Sequence, residues 1–440
     1  MKLKLFNSSF RNFLTFSEIK KLIFNFLSYG SYQVITYLSY LITIPYIVRV
    51  VGKANFGIIS MALALVSYMA IISEFGFSIN GVQYIAQNQN NSIKKREIVT
   101  NIFALQLLLM LGSFILLFII INSISQFQPY RNIFYFTFLI IPANITMALW
   151  FYIGMEKIKY LSVIILISKV LYIVLIFIFL IRAEDFYFVP LFNGIAALFA
   201  GLCSLYLILF KFKIYPPDFK SIKIIKYIKS NWNIFLSFLS MNLYRNSNVL
   251  ILGFLVTESS VGIYSGGEKI VIVLQSIFAP ITQVIYPYIS RLRVNDPQKS
   301  KKILIALTVF ISVGTFLVSF LLYVFSTKIA LIVLGEEFIK SGSIIKISSF
   351  VVFFGTLNFI LGIIFMTNYG MKNEFTKAVL LTGILNVIIC YLLSYMWQEI
   401  GTAFAFLGAE IILFLLLLFF INRKYKDAIK NLFYKKISLT

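Results

Sequence analysis

Val51-Gly52-Lys53-Ala54-Asn55-Phe56-Gly57-Ile58-Ile59-Ser60 and Val256-Thr257-Glu258-Ser259-Ser260-Val261-Gly262-Ile263-Tyr264-Ser265 lie 205 residues apart and share Val, Gly, Ile and Ser at four of ten positions. The same offset lays the basic cluster Lys94 to Arg96 over Lys299 to Lys301. Each decapeptide stands between two long apolar runs, and each basic cluster stands just before another. The chain reads as a duplication, and the repeated unit sets the fold.

What is repeated follows from composition. Of 440 residues, 60% are hydrophobic and 12% charged, and the mean hydropathy is +0.92. A water-soluble protein carries about 25% charged residues, so a soluble enzyme is excluded. A helix crosses the hydrocarbon with about 20 apolar residues. Twelve such runs occur, near 22–48, 56–86, 98–121, 133–155, 159–181, 186–210, 231–255, 259–290, 303–325, 344–368, 374–396 and 401–421. The expected fold is all-α: a polytopic membrane protein of twelve transmembrane helices, in two six-helix lobes around a central cavity. Six spans per half bring both halves into the membrane in one orientation, the parallel repeat seen in some secondary transporters. The expected layout is a basic amphipathic N-terminus (1–21), an N-lobe (22–210), a basic linker with Pro216-Pro217 (211–230), a C-lobe (231–421) and a basic tail (422–440). The first run is too long for a signal peptide's apolar core and reads as a true span. The second and eighth runs exceed a perpendicular span, and Gly76 and Gly81, or Pro280 and Pro287, are their expected bend points.

Charge sets the orientation. The 39 Lys and Arg against 16 Asp and Glu give a net +23. Cytoplasmic loops retain basic residues. With both termini inside, 29 basic residues fall in cytoplasmic segments and six (Arg49, Lys53, Arg131, Arg182, Lys328, Lys340) outside. Basic charge held in loops favours anionic membrane lipids, and no nucleic-acid partner is expected.

Histidine is absent, removing the commonest general base and metal ligand. Cys203 and Cys390 stand in apolar runs as small hydrophobes, so neither a disulfide nor a metal site is expected. No cofactor is expected, and any coupling to H+ or Na+ falls to carboxylates. Seven ionisable groups lie within spans: Glu74, Lys169, Arg245, Glu268, Lys269, Lys346 and Glu410. Each costs about 2.5–3.5 kcal/mol at mid-membrane unless it faces a partner or a watery cavity. Lys346, at the start of its run, can snorkel. Lys169 and Glu410 stand about 15 Å into their helices and cannot. Arg245 and Lys269 are each twelve residues from the turn near residue 257, hence at matching depth, with Glu268 beside them. Two readings stay open: a structural Arg245–Glu268 pair, or Arg245 and Lys269 lining a cavity for an anion with Glu268 tuning them. Arg suits phosphate through its planar fork and Lys as a compact charge. Glu410 and Glu74 are the candidates for ion coupling, and Glu74 also suits a cap on a bend at Gly76.

Several motifs carry a resemblance: Pro45-Tyr46 through Arg49 and Gly52 to Phe56-Gly57, Glu74-Phe75-Gly76-Phe77, Trp150-Phe151-Tyr152-Ile153-Gly154-Met155-Glu156-Lys157, Asn248 to Gly253, and Val261 to Ile270 followed by Tyr286-Pro287. In this order, over about residues 22–420, they resemble the Wzx-type O-antigen and repeat-unit flippases. That family belongs to the superfamily that also holds multidrug and toxin extrusion transporters and the lipid II flippase. Ile153 departs from the glutamine common there. The resemblance implies a flippase of the bacterial cytoplasmic membrane. It would carry undecaprenyl-pyrophosphate-linked oligosaccharide by alternating access, with ion counterflow and with other polysaccharide-assembly proteins as partners. It also implies that Arg245 and Lys269 hold the pyrophosphate or acidic sugars; Glu268 and Lys169 are the further candidate substrate-binding residues, from their place within spans.

Two other classes compete. A multidrug antiporter of the same superfamily needs an acidic, aromatic cavity. A membrane polysaccharide polymerase or ligase needs a sizeable exterior loop, and the longest exterior gap is Ser326 to Ser343. A Gly-x4-Gly-Lys-Ser/Thr phosphate loop does not occur, so nucleotide hydrolysis has no recognisable site.

Overall fold

The computed structural model describes residues 16–214, 222–278, 289 and 296–437. Lys2, Lys4, Arg11, Pro216-Pro217, Pro280, Tyr286 and Pro287 lie outside these residues. Among the described residues every regular element is helical and no strand occurs. In lipid each backbone N–H and C=O needs an internal partner, and helices supply it.

Helix occupies each of the twelve runs as far as they are described. Among the described residues, seven helices are long and apolar enough to cross a bilayer, and the bent pair Ser341–Ser348 and Val351–Met366 adds an eighth. Two of the seven each hold two of the apolar runs, joined at a break. Gly52, at φ 74°, separates the first two runs inside Phe16–Glu74, a left-handed position that glycine adopts without strain. Trp397 and Gln398 separate the last two inside Lys372–Ile437. Of the remaining helices, Ser247–Leu255 is too short at nine residues, and Ile224–Arg245 and Glu258–Ser276 carry polar and charged residues, Asn231, Asn242 and Arg245 in one and Glu268 and Lys269 in the other, that dilute their apolar content. Asn246, Glu268 and Lys269 line the cavity described below.

Local sequence accounts for the bends. Phe75 and Gly76 take positive φ and divide Phe16–Glu74 from Phe77–Gln87. The Glu74 carboxylate accepts the Ser78 N–H at 2.6 Å, satisfying a donor that the new helix leaves open. Gly81 is not a bend: it sits inside Phe77–Gln87, where lacking a side chain lets the Trp150 ring pack on its backbone. The fourth run breaks at Ala148, which has φ 46°.

Three boundaries differ from the sequence expectation. The seventh run begins helical at Ile224, so the linker drawn over 211–230 ends in helix. The last helix continues past residue 421 to Ile437. Helix Pro297–Leu334 runs on past Ser326, and the short helix Glu336–Phe338 and Ser341–Ser348 follow, so little of the exterior gap from Ser326 to Ser343 is loop.

The two halves meet at both ends of the bundle. At the end that the basic-residue asymmetry assigns outward, Phe56 meets Phe338 edge-on, with ring centroids 6.1 Å apart. There Arg49 donates to the Ile332 carbonyl. At the other end Phe75 stacks on Phe235, centroids 4.7 Å apart, while Tyr84 and Asn80 hydrogen-bond Ser230. Glu97 there takes ion pairs from Lys94 at 3.0 Å and Lys223 at 3.3 Å.

Candidate functional site

Between these contacts lies a cavity of about 260 Å³. One wall comes from the first half of the chain: Tyr40, Thr43 and Ile47, then Ser60, Leu63, Ala64 and Ser67, then Tyr172 and Asn193. The facing wall comes from the second half: Asn246, Val249, Ser265, Glu268, Lys269 and Ile272. The 205-residue offset maps Leu63 and Ala64 onto Glu268 and Lys269, and both pairs line this one space. Corresponding positions of the two halves thus face each other, apolar on one side and charged on the other.

Lys269 also opens onto a second hollow of about 490 Å³, shared with Tyr40, Ile44, Pro45, Arg49, Leu274 and Ile332. This hollow is an apolar groove with two basic residues on it. Tyr40 and Lys269 border both spaces. Arg49, which sequence reasoning placed in an exterior loop, therefore joins the site. Its position follows from folding back onto the Ile332 carbonyl, a contact 283 residues away in sequence that no local pattern signals.

The other expected groups divide. Lys169 is half-buried with its ammonium 5.5 Å from the Tyr40 ring, so it stands behind a residue of the cavity wall. Cation–ring contacts of this kind contribute about 0.5–2 kcal/mol. Arg245 is exposed at the end of its helix, one residue before the lining Asn246. Its Nε donates to the Tyr244 hydroxyl at 3.3 Å, and it lies within electrostatic reach of Glu410. Glu268 does not pair with Arg245. It is buried and accepts the Tyr264 hydroxyl at 3.0 Å. Among the described residues, Lys269 has no carboxylate within ion-pair distance. Matching depth on neighbouring helices therefore did not bring Arg245 and Lys269 to one wall, because the helix break at Asn246 intervenes.

Glu410 is held inside the second half, where Asn358 Nδ2 donates to its carboxylate at 2.7 Å and its carbonyl at 2.8 Å. Gly355 makes room there, since a Cβ would meet both Gln275 and Glu410. Glu74 lines a separate cavity of about 310 Å³ in the first half, with Gln106, Asn144 and Trp150. Lys346 is exposed with its ammonium 5.0 Å from the Tyr323 ring. Cys390 is buried and Cys203 half-buried, both as thiols.

A family described as polysaccharide biosynthesis protein matches residues 22–293. A protein of Escherichia coli (strain K12) named as a candidate O-antigen transporter is 28% identical over 396 residues, covering 88% of this chain and 93% of that protein. One of the same name from Shigella dysenteriae is 22% identical over 403 residues, covering 91% and 98%. Among solved structures, lipid II flippase MurJ in an inward closed conformation superposes with a TM-score of 0.68 at 13% identity, covering 91% of this chain and 87% of that one. An inward-facing multidrug resistance MATE family transporter of the MOP superfamily gives 0.62 at 14%, covering 90% and 99%. At such identities the likeness is one of fold.

Proposed function

Because this chain belongs to the polysaccharide biosynthesis protein family, we propose that it is a flippase, not an enzyme, that moves undecaprenyl-pyrophosphate-linked oligosaccharide repeat units across the bacterial cytoplasmic membrane. Both termini are cytoplasmic in this reading, following the Lys and Arg asymmetry. The observation that carries it is Lys269: an ammonium with no carboxylate within ion-pair distance among the described residues, on the common wall of an inter-half cavity and an apolar groove. A phosphorylated headgroup cannot enter hydrocarbon unpaired, since each bare charge there costs several kcal/mol. Lys269 and Lys169, with Arg49 at the groove and Arg245 beside the cavity, replace part of its water shell. The prenyl chain follows the groove and stays in lipid. Lys269 also disfavours the cationic drugs of a multidrug exporter.

A cavity of about 260 Å³ holds a headgroup but not a whole oligosaccharide. Pockets for small ligands run to about 300–1,000 Å³. The contacts at both ends must therefore open in turn, which is alternating access between two halves that rock about the shared site. The test is complementation of a bacterial strain that lacks its own repeat-unit flippase, scoring surface polysaccharide. The wild type restores it, Lys269→Ala loses most of it, and Arg245→Ala loses part. Full rescue by both alanine variants refutes the anion site.

A further inference from the structure

Two helix breaks meet at the cavity of about 310 Å³ in the first half. Phe75 and Gly76 end Phe16–Glu74 just past Glu74. Ala148, at φ 46°, ends Ile140–Met147, so that Leu149 and Trp150 open a new helix against the same space. Within a membrane protein, broken helix is tolerated where it is buried or borders a watery cavity, and transporters build substrate sites at such breaks.

This cavity lies in line with the inter-half space. On Phe16–Glu74, Ser60, Ala64 and Ser67 line the inter-half cavity, and Ile71 and Glu74 line this one. Steps of three and four residues put all five on one face of the helix. From Ala64 to Glu74 is about 15 Å, toward the end that the basic-residue asymmetry assigns to the cytoplasm.

The protein leaves much of the polar wall unsatisfied. Gln106 is 2% exposed and Trp150 4%, yet Gln106 Oε1 and Trp150 Nε1 have no hydrogen-bond partner among the described residues. A buried polar atom is seldom left this way. Ser73, by contrast, bonds the Met69 carbonyl at 2.8 Å and Ser113 at 2.9 Å. Asn144 is exposed in the cavity. A carboxylate accepts about four hydrogen bonds, and Ser78 uses only part of what Glu74 offers.

These groups point to a ligand class. A carboxylate, two amides and an indole N–H stand beside apolar Ile141 and Ile145. Sugar hydroxyls both donate and accept, and the C–H faces of the ring suit apolar neighbours. The volume is that of a small-ligand site, and a bare ion would leave most of it empty. Glu74 is the one charged residue among the described residues that line the cavity, so it repels a second carboxylate.

We propose that this cavity is a glycan subsite that holds one uncharged sugar of the lipid-linked repeat unit through Glu74, Gln106, Asn144 and Trp150, and that it rejects uronic acids. The proposal rests on the headgroup reading given above. With the pyrophosphate beside Lys269, the glycan extends toward the cytoplasmic end. The distance to Glu74 is longer than one sugar ring, so the subsite takes a unit beyond the first. It supplies room that the inter-half cavity lacks.

The test measures binding of farnesyl pyrophosphate to the full chain in lipid nanodiscs. The probe is bare, or bears diacetylchitobiose, or bears a disaccharide whose outer sugar is glucuronic acid. Wild type binds the chitobiose probe about tenfold more tightly than the bare one, as a few added hydrogen bonds allow, and gains nothing from the glucuronic one. Gln106→Leu and Trp150→Phe each narrow the chitobiose advantage several-fold, the second covering a Gln106 variant that does not fold. Glu74→Gln keeps an oxygen for the Ser78 N–H and binds the glucuronic probe several-fold better than wild type. A purely structural role would move all three affinities together and leave their ratios unchanged. Equal wild-type affinity for the bare and chitobiose probes, or wild-type ratios in both Gln106→Leu and Trp150→Phe, overturns the subsite. Unchanged rejection of the glucuronic probe by Glu74→Gln overturns the charge filter. If the bare probe does not bind wild type, the pyrophosphate reading fails, and free diazirine-labelled chitobiose decides the sugar site. Crosslinks within residues 70–78 or 141–150 uphold it, and their absence overturns it.

Discussion

Gly57 and Gly262 touch across the boundary between the two halves, and the contact is reciprocal. A Cβ on Gly57 would strike the Glu258 carbonyl and the Gly262 nitrogen, and a Cβ on Gly262 would strike the Lys53 carbonyl and the Gly57 nitrogen. Lys53 and Glu258 are separated by the same 205 residues as the two glycines. A contact that is its own mate in this way marks a two-fold axis between equivalent surfaces. Small residues let helix backbones approach this closely in lipid, where dispersion rather than the hydrophobic effect holds helices together.

Gly57→Leu and Gly262→Leu therefore wedge the outer ends of the halves apart. Overpacking of this kind costs about 1–3 kcal/mol in the closed arrangement. Spin labels on the outer ends of the two halves give a longer mean distance in either variant than in wild type, and surface polysaccharide export falls. An unchanged distance distribution in both variants would show that the glycines do not set the closure.

Gly76→Ala destabilises the protein for two reasons. Its φ of 80° disfavours any Cβ, and that Cβ would meet the Ile234 side chain. The expected loss is about 1–3 kcal/mol, read as a lower melting temperature in detergent. Gly112→Ala is the control: nothing lies within 4 Å of its added methyl, and alanine in a helix gains about 0.5–1 kcal/mol over glycine. A Gly76→Ala melting temperature at or above that of Gly112→Ala would remove the bend from the structural argument.

Asn358→Leu leaves the buried Glu410 carboxylate without its amide donor. A buried acceptor stripped of its partner costs about 1–3 kcal/mol. Asn358→Leu/Glu410→Leu removes both groups and is expected to be more stable than Asn358→Leu alone, since an apolar pair can replace a buried polar one at little cost. Melting temperatures of the four proteins form the cycle. Additive losses in the double variant would show that the two side chains are not coupled.

The apolar runs and the 205-residue repeat were legible in the sequence because span length and duplication are written in local composition. The Glu74–Gly76 bend was legible too, since a carboxylate beside a glycine offers both the cap and the permitted φ. Long-range features were not. Arg49 reads as a loop cation until its contact with Ile332 is known, and Gly81 reads as a bend until Trp150 is seen against it. Arg245 and Lys269 share a depth by counting, but counting carries no rotation about the helix axis, and the break at Asn246 sets Arg245 off the lined wall.

Translocation itself is the decisive measurement. The chain is reconstituted in vesicles with a lipid-linked repeat unit bearing a fluorophore on its glycan, and crossing is read as protection from an impermeant quencher. Wild type speeds crossing well above protein-free vesicles, and Lys269→Arg keeps most of that rate. Lys269→Gln lowers it about tenfold or more, as expected for loss of a charged contact worth about 1.5–3 kcal/mol. A Lys269→Gln rate equal to wild type would contradict the assignment of the cavity to the anionic headgroup.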